Sequence, residues 1–404
     1  MQSIIKINNQ TQIQYINPSK MLEKRRIYLP PLSLVGPGVV IDLVEEIKND
    51  GYQSVLVVTD KVLQEVGIAS KVISKLVDAE INYNIFDDVQ PNPTCKNVND
   101  GLAVFKDNNC DFILTIGGGS PQDCGKAIGI LAANGGDIRD YEGIHVSKKK
   151  SCPIAAVNTT AGTASEVTIN YVITDEDRKV KMVMVDKNCL VSIAVNDPEL
   201  MLAMPKALTA ATGMDALTHA IEAYVTAGAY HWSDKLALYA IELIASSLPD
   251  AVKDGNNLEA RSKMAWAQFV AGQAFSNCGL GYVHSAAHQL GGMYNTPHGV
   301  ANAVLLPHVE KFNISACPEK FVQIAIAMGV DVQFMSIEVA ANAAIEAIKE
   351  LSAEVGIPGG LKELGVKEQD LEEMAKNALL DVCTGGNPKE VALEDAIQIY
   401  KNAL

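Results

Sequence analysis

Short apolar runs alternate with helical stretches between Pro30 and Pro198. β-branched residues are common in these runs, and several runs are followed by turn residues and then by a helical pattern. The predicted strands are Ser54–Thr59, Tyr83–Phe86, Phe112–Ile116, Pro153–Val157, Tyr171–Thr174, Lys181–Val185 and Val191–Val195. Strand, turn and helix repeated in this way predict a mostly parallel sheet with helices on both faces.

Helical spacing takes over after Pro198 and continues to Leu404. Apolar residues recur at intervals of three and four, and Pro and Gly mark the ends of several segments. The clearest predicted helices are Ala220–Val225, Lys235–Leu248, Arg261–Ala274 and Ala340–Val355. We therefore predict an N-terminal extension over residues 1–26, a Rossmann-like α/β domain over residues 27–203 and an all-helical domain over residues 204–404.

A glycine triplet, Gly117-Gly118-Gly119, lies between a predicted strand and a predicted helix, and Ser120 and Asp123 follow it. Glycine lets a phosphate group approach the backbone, and the start of a helix presents free N–H groups and a positive dipole end. The loop is neither G-x-G-x-x-G nor a Walker A sequence. A tight turn without a ligand would also explain a lone triplet.

A second loop, with Thr159, Thr160 and Thr163, follows the predicted strand Pro153–Val157. Its hydroxyl groups and small residues suit a diphosphate or a sugar, and two such loops at the carboxyl ends of adjacent strands indicate a nucleotide crevice. Asp60 ends the first clear strand, where a carboxylate can bind a ribose diol and repel a 2′-phosphate. An acidic residue there could equally cap the next helix.

Five residues of the helical half have the side chains and spacing of a metal site. Asp215 and His219 are four residues apart, which places both on one face of a helix. His284 and His288 repeat this spacing, and His298 follows in a Pro-His-Gly turn. Imidazole and carboxylate groups suit iron or zinc. A lone helical histidine is usually structural, and spacing does not decide which of the last three are ligands.

The chain of 404 residues carries 48 acidic and 33 basic residues, for a net charge of −15. A strongly acidic surface argues against nucleic acid and anionic lipid as partners. No apolar run reaches the roughly 18 residues of a membrane span, and no signal peptide is recognisable. The eight cysteines form no C-x-x-C pair, so we expect reduced thiols in a cytoplasm-like compartment.

The first 26 residues differ in composition from the rest of the chain. They are rich in Gln, Asn, Ile and Lys, and their net charge of +4 contrasts with −19 on the remainder. A weakly ordered extension explains this composition. The alternative is a segment that docks the protein into an assembly or a metabolic compartment.

Four longer motifs resemble those of the iron-dependent (group III) alcohol dehydrogenases. They are GGGSPQDCGKAIG, TTAGTASEVTINYVITDE, ATGMDALTHAIEAY and GLGYVHSAAHQLGGMYNTPHGVANAVLLPH. The resemblance runs from about residue 27 to the C-terminus. Within the family, TINYVITDE, DVCTGGNPKE and LEDAIQIY are most similar to the propanediol oxidoreductases, which interconvert lactaldehyde and 1,2-propanediol. Ala164 stands where many relatives have glycine.

The resemblance implies NAD and Fe²⁺ as cofactors, with Zn²⁺ as a replacement for the iron. The implied metal ligands are Asp215, His219, His284 and His298. The implied dinucleotide-contacting residues are Asp60, Gly117, Gly118, Gly119, Ser120, Asp123, Thr159, Thr160, Thr163 and Lys181. The implied substrate-lining residues are Asn170, Phe275 and Cys383, and His288 falls where the family has a histidine near the substrate, suited to relaying a proton.

The expected reaction is hydride transfer from NADH to a carbonyl carbon whose oxygen is polarised by the metal ion, and its reverse. The nucleotide loops precede residue 204 and the metal ligands follow it, so we expect the reaction in a cleft between the two domains of a protein that forms a homodimer. The same chemistry on 1,3-propanediol, ethanol or methanol is the nearest alternative.

Three further classes of protein fit part of this sequence. A lyase similar to dehydroquinate synthase would bind an anionic substrate, but the sequence shows no basic cluster beside the metal histidines. A metal-dependent hydrolase would leave both nucleotide loops unexplained. A structural component of a metabolic compartment, recruited through residues 1–26, is the non-enzymatic alternative.

Overall fold

The computed structural model describes residues 23–178, 180–202 and 204–404. The chain contains two compact units, Ile27–Ala203 and Met204–Leu404. Arg25 groups with the second unit, where its guanidinium lies 5.0 Å from the centre of the Tyr230 ring. The predicted extension lies outside the described residues as far as residue 22. Among the described residues, no helix is both long enough and apolar enough to cross a membrane.

The strands of the first unit are β1 (Leu32–Val35), β2 (Ser54–Val58), β3 (Asn82–Phe86), β4 (Phe112–Gly117), β5 (Gly143–Ile144), β6 (Ile154–Asn158), β7 (Asn170–Asp175), β8 (Val180–Val185) and β9 (Ile193–Asn196). Six of them form one sheet in the order β1-β9-β6-β4-β2-β3, and every neighbouring pair is parallel. β4 and β6 are buried along their whole length, which explains their continuous apolar sequences. The predicted mostly parallel sheet is confirmed.

Five helices accompany these strands: α1 (Val40–Asn49), α2 (Lys61–Glu65), α3 (Ile68–Asp78), α4 (Cys95–Asp107) and α5 (Gly119–Asn134). The apolar faces of α1 and α3 pack with side chains of the sheet in one core cluster. The pattern after Asp60 predicts a single helical stretch, but the structure has α2 and α3. Gly67 separates them with a φ of +79°, a left-handed conformation that glycine adopts without steric cost.

Two predicted strands belong to a second, smaller sheet with the order β5-β8-β7. β7 and β8 pair in antiparallel fashion, with Asn170 opposite Val185. Buried and half-buried residues alternate along β7, as expected where only one face of a strand packs on the core. The sequence prediction did not separate these strands from the main sheet, and it missed the edge strand β1.

The described residues after residue 204 form α-helices joined by loops and short 3₁₀ turns. They are α6 (Lys206–Val225), α7 (His231–Lys253), α8 (Leu258–Cys278), α9 (Tyr282–Tyr294), α10 (His298–Asn313), α11 (Pro318–Ala327), α12 (Ile337–Glu354), α13 (Leu371–Leu380) and α14 (Leu393–Asn402). The central helix α6 packs against α7, α8 and α10 and is buried without interruption from Gly213 to Val225. Polar side chains on such a helix need partners inside the protein.

Candidate metal centre and nucleotide-binding loops

Four side chains from three helices of the second unit meet in one cluster. Asp215 and His219 lie one turn apart on α6, His284 lies in the first turn of α9, and His298 is the first residue of α10. One potential ligand atom from each of the four residues lies within 4.8 Å of the others. Sequence spacing left three histidines as candidates, and the structure places His284 and His298, but not His288, in this group.

Burial and charge favour the metal-binding ionisation states of Asp215 and His284. Burial raises the pKa of Asp215, but the nearby histidines and an amide hydrogen bond outweigh it, so the pKa of this carboxyl is lowered overall. Burial, together with His219, lowers the pKa of His284 well below its usual range. The cluster therefore combines a carboxylate with neutral imidazole, and both forms donate electron pairs to a divalent cation.

Two observations show that these donors fit a cation. His219 Nδ1 is buried without a hydrogen-bond partner among the described residues. Asn302 directs its side-chain N–H₂ group at Asp215 Oδ1 at 2.7 Å and at the Nε2 atoms of His284 and His298, each at 3.2 Å. Acceptor atoms thus converge on a positively polarised group, as they would on a metal ion. Sequence analysis missed Asn302, which lies one helical turn after His298.

Glu222 is a second residue that sequence analysis missed, although it continues the helical spacing of Asp215 and His219. Its carboxylate bonds Nδ1 of His284 and accepts a hydrogen bond from the Val283 N–H at 2.7 Å. Burial raises the pKa of Glu222 to about 7, partly offset by backbone N–H groups. Histidine ligands of metals usually bond a carboxylate or carbonyl in this way.

His288 lies beside the cluster and has its own carboxylate partner. Its ring stacks on His298 with the ring centres 5.5 Å apart, and its Nδ1 lies 2.8 Å from Asp381 Oδ2. Burial raises the pKa of Asp381, but bonds from His288 and Cys383 lower it overall, to about 2. The Asp381 carboxylate therefore fixes the ring of His288, and sequence analysis did not identify it.

The predicted substrate-lining residues fall in both units. Phe275 stacks on His219 with ring centres 4.3 Å apart, and the Cys383 backbone N–H donates to Asp381 Oδ1 at 2.9 Å. Phe275 therefore contacts the cluster directly, and Cys383 lies beside the carboxylate that bonds His288. Asn170 begins β7 in the first unit, where its side-chain Oδ1 is buried and has no hydrogen-bond partner among the described residues.

The two predicted nucleotide loops meet at the carboxyl edge of the parallel sheet. β4 and β6 are neighbours, and the Thr159 N–H donates to the Gly117 carbonyl at 3.2 Å. A Cβ added to Gly118 would lie 3.0 Å from Thr160 Cγ2, and one added to Gly119 would lie 3.1 Å from Thr163 Cγ2. The two glycines therefore let the loops pack closely against each other, and the start of α5, which has no side-chain cap, suits a phosphate.

Two charged side chains of α5, half-buried Asp123 and buried Lys126, attach the second loop to this helix. Ser165 Oγ–H donates to Asp123 Oδ1 at 2.8 Å, and the Val172 N–H donates to Oδ2 at 3.0 Å. Burial raises the pKa of Asp123. The ammonium of Lys126 donates to the carbonyls of Ser165 and Thr168, to the hydroxyls of both, and to the Asn170 carbonyl, at 2.6–3.1 Å. Sequence analysis missed Lys126.

The other two predicted nucleotide contacts have partners within the first unit. Asp60 follows β2 and caps α2, accepting from the Leu63 N–H at 2.9 Å. Oδ1 of Asp60 therefore caps α2, which agrees with the capping alternative. Lys181 donates to Asn92 Oδ1 at 2.8 Å, and burial lowers its pKa.

Comparison with protein families assigns both halves of the chain. Residues 30–198 match the family model for iron-containing alcohol dehydrogenase, and residues 209–404 match the C-terminal model of the Fe-containing alcohol dehydrogenase family. The chain belongs to the iron-containing alcohol dehydrogenase family.

Individual family members are similar over nearly the whole chain. Lactaldehyde reductase of Escherichia coli K12 is 50% identical over 380 residues, which are 94% of this chain and 99% of that protein. NAD-dependent methanol dehydrogenase of Bacillus methanolicus is 47% identical over 377 residues, or 93% and 99%. The crystal structure of a 1,3-propanediol oxidoreductase has a TM-score of 0.93 and 49% identity, covering 95% of this chain and all of the other.

Gly299, at the start of α10, packs closely against α6. A Cβ at Gly299 would lie 2.3 Å from the Ala211 carbonyl oxygen of α6. We expect Gly299→Ala to lower the free energy of unfolding by about 1–3 kcal/mol, measured by urea denaturation. It should also weaken Zn²⁺ binding, because His298 directly precedes it. Gly292→Ala in α9 is the matched control, because a Cβ there meets nothing within 4 Å. Equal effects of both substitutions would contradict the packing argument.

Proposed function

We propose that this chain is an NAD(H)- and Fe²⁺-dependent alcohol dehydrogenase that interconverts lactaldehyde and 1,2-propanediol. The observation that carries the proposal is the cluster of Asp215, His219, His284 and His298 on three helices. Its donor set suits a divalent transition metal with room for a substrate oxygen. The 50% identity to a lactaldehyde reductase supports the choice of substrate.

The four clustered residues would hold the metal, and Zn²⁺ would bind the same donors because the divalent metals of this series favour similar ligands. The loops at Gly117–Ser120 and Thr159–Thr163, with Asp60 and Lys181, would bind the nucleotide. When bound, the ion supplies Lewis-acid polarisation of a carbonyl oxygen and NADH supplies the hydride. The similarity to an NAD-dependent methanol dehydrogenase supports the cofactor.

The remaining residues of the proposed site handle the proton and the substrate. Asp381 holds Nδ1 of His288, so the other ring nitrogen is available to exchange a proton with the substrate hydroxyl or with solvent. Phe275, which stacks on His219, and Cys383, which lies beside Asp381, would contact a short diol. Asn170, whose Oδ1 is buried without a partner among the described residues, is proposed as a further substrate contact.

A comparison of three aldehydes tests the proposed substrate. The Fe²⁺-loaded protein is assayed with NADH and lactaldehyde, propanal or 3-hydroxypropanal, and kcat/KM is compared. The proposal predicts the largest value for lactaldehyde. A larger value for 3-hydroxypropanal would favour the second candidate, a 1,3-propanediol dehydrogenase, which the 49% identity to a 1,3-propanediol oxidoreductase supports.

Substitution of Asp60 separates its charge from its role as a helix cap. Asparagine caps a helix about as well as aspartate, so Asp60→Asn should leave the unfolding midpoint unchanged. Without the carboxylate, a 2′-phosphate is no longer repelled. We expect kcat/KM for NADPH relative to NADH to rise about tenfold, equivalent to 1.4 kcal/mol.

The matched control is Asp88→Asn, which removes an exposed carboxylate that pairs with Lys61 in the same unit. This variant should keep the cofactor ratio of the wild type. An unchanged ratio in Asp60→Asn as well would show that Asp60 is a helix cap only.

The assembly is also part of the proposal. We propose a homodimer in the cytoplasm or a metabolic compartment of the cell, with residues 1–26 as a docking segment. The charge of +4 on residues 1–26, against −19 on the rest of the chain, supports the docking segment. The eight free thiols support a reducing compartment. Deleting residues 1–22 should preserve turnover and abolish co-localisation with the compartment, whereas loss of folding would show that the segment is structural.

A further inference from the structure

Glu222 joins the helix that carries Asp215 and His219 to the helix that carries His284. It lies three residues after His219 and seven after Asp215, so the three side chains share one face of α6. Only 1% of its surface is exposed. A buried carboxylate is costly unless its oxygens are hydrogen-bonded, so its partners define what it does.

Those partners all lie at the start of α9. The Val283 N–H donates to Oε1 at 2.7 Å, and the backbone N–H groups of Gly281 and His284 interact with the same carboxylate. These are the groups that a helix start leaves without intrahelical partners. Oε2 bonds Nδ1 of the His284 ring. One carboxylate therefore fixes both the first turn of α9 and the ring that this turn presents.

The bond also determines which ring nitrogen of His284 carries the proton. A carboxylate accepts hydrogen bonds, so Nδ1 is the protonated nitrogen and Nε2 keeps its lone pair. Asn302 Nδ2 lies 3.2 Å from Nε2, which agrees with an acceptor at that atom. The lone pair of Nε2 thus points toward the atoms of Asp215 and His298 that gather around the same amide group.

We propose that Glu222 is a positioning residue of the metal centre, which holds His284 in the Nδ1–H tautomer and aims its Nε2 at a divalent cation. This inference rests on the metal site proposed above. Loss of the carboxylate would let the ring turn or change tautomer, and Nε2 would then cease to be a ligand.

Glu310 provides a matched control in the same core. It is buried like Glu222, but its bond is to Asn313 Nδ2 at 3.1 Å rather than to a histidine. The substitutions Glu222→Gln and Glu310→Gln each replace one buried carboxylate by an amide of the same shape. Only Glu222→Gln removes the carboxylate that accepts the hydrogen bond from Nδ1 of His284.

The test measures Zn²⁺ affinity of the full chain by competition with a chelator. We expect Glu222→Gln to raise the dissociation constant about 10- to 100-fold and Glu310→Gln to leave it within a factor of about three. With Co²⁺ in place of Zn²⁺, the visible absorption spectrum should change in Glu222→Gln alone. In zinc-loaded wild-type protein, nitrogen NMR should show the His284 proton on Nδ1, a measurement that requires no variant to fold.

Each outcome has a defined meaning. Wild-type affinity in Glu222→Gln, equal weakening in both variants, or an Nε2 proton on His284 would overturn the role of Glu222 while leaving the metal site intact. Failure of wild-type protein to bind Zn²⁺ or Fe²⁺ would overturn the proposed function and this inference together.

Discussion

Replacing His284 by alanine should reduce turnover of NADH and aldehyde by at least about a thousandfold. Metal polarisation of a carbonyl lowers the activation barrier by several kcal/mol, and each 1.36 kcal/mol is about tenfold in rate. His284 is central to the cluster because its ring stacks on His219 and its Nε2 lies near Asp215 and His298. The measurements are metal content per chain after dialysis and kcat with saturating Fe²⁺.

The matched control is His231→Ala, which removes an exposed histidine at the start of α7 in the same unit. This variant should keep full metal content and turnover. A His284→Ala protein that retained both would contradict the assignment of this histidine as a ligand.

Replacing Lys126 by methionine should produce the largest loss of stability in the first unit. The ammonium is fully buried and donates to three carbonyls and two hydroxyls of the segment from Ser165 to Asn170. Removing a buried charge from such a network costs about 3–5 kcal/mol, because its acceptors lose their donor and Asp123 loses a nearby positive charge. Amide hydrogen exchange should accelerate over residues 159–175, and NADH should bind more weakly.

Lys61→Met is the control for this substitution. Lys61 is exposed and forms a surface ion pair with Asp88, and such pairs contribute little to stability because solvent screens them. Its removal should leave exchange over residues 159–175 unchanged. If Lys126→Met also left it unchanged, the buried network would not hold this loop to α5.

The centre of the main sheet could be predicted because its central strands are buried on both faces. β2, β4 and β6 have five or six residues each, most of them apolar, and each is followed by turn residues. The hairpin of β7 and β8 was recognised as strands, but its separate sheet was not. Strand pairing is decided by tertiary contacts rather than by local pattern. The division into α2 and α3 depends on the backbone conformation of Gly67, which composition alone does not specify.

The site could be predicted as residue types but not as geometry. Spacing predicts that Asp215 and His219 share one face of α6. Spacing does not predict that the start of α10 places His298 beside them, or that His288 bonds Asp381 instead of joining the cluster. Glu222 was overlooked because its partner Val283 is 61 residues away. An acidic residue in a helical sequence pattern is ordinarily predicted to be exposed, and only its partners in the folded protein show that Glu222 is buried.

The most direct test of the central claim is NADH consumption by protein that has been stripped of metal and reloaded with Fe²⁺ under anaerobic conditions. With lactaldehyde as substrate, the account predicts turnover that requires the added metal and produces one oxidised NAD for each 1,2-propanediol. No net NADH consumption with lactaldehyde, propanal or 3-hydroxypropanal, despite bound metal and nucleotide, would contradict it. An enzyme that uses and restores NAD within one catalytic cycle would then fit the same site better.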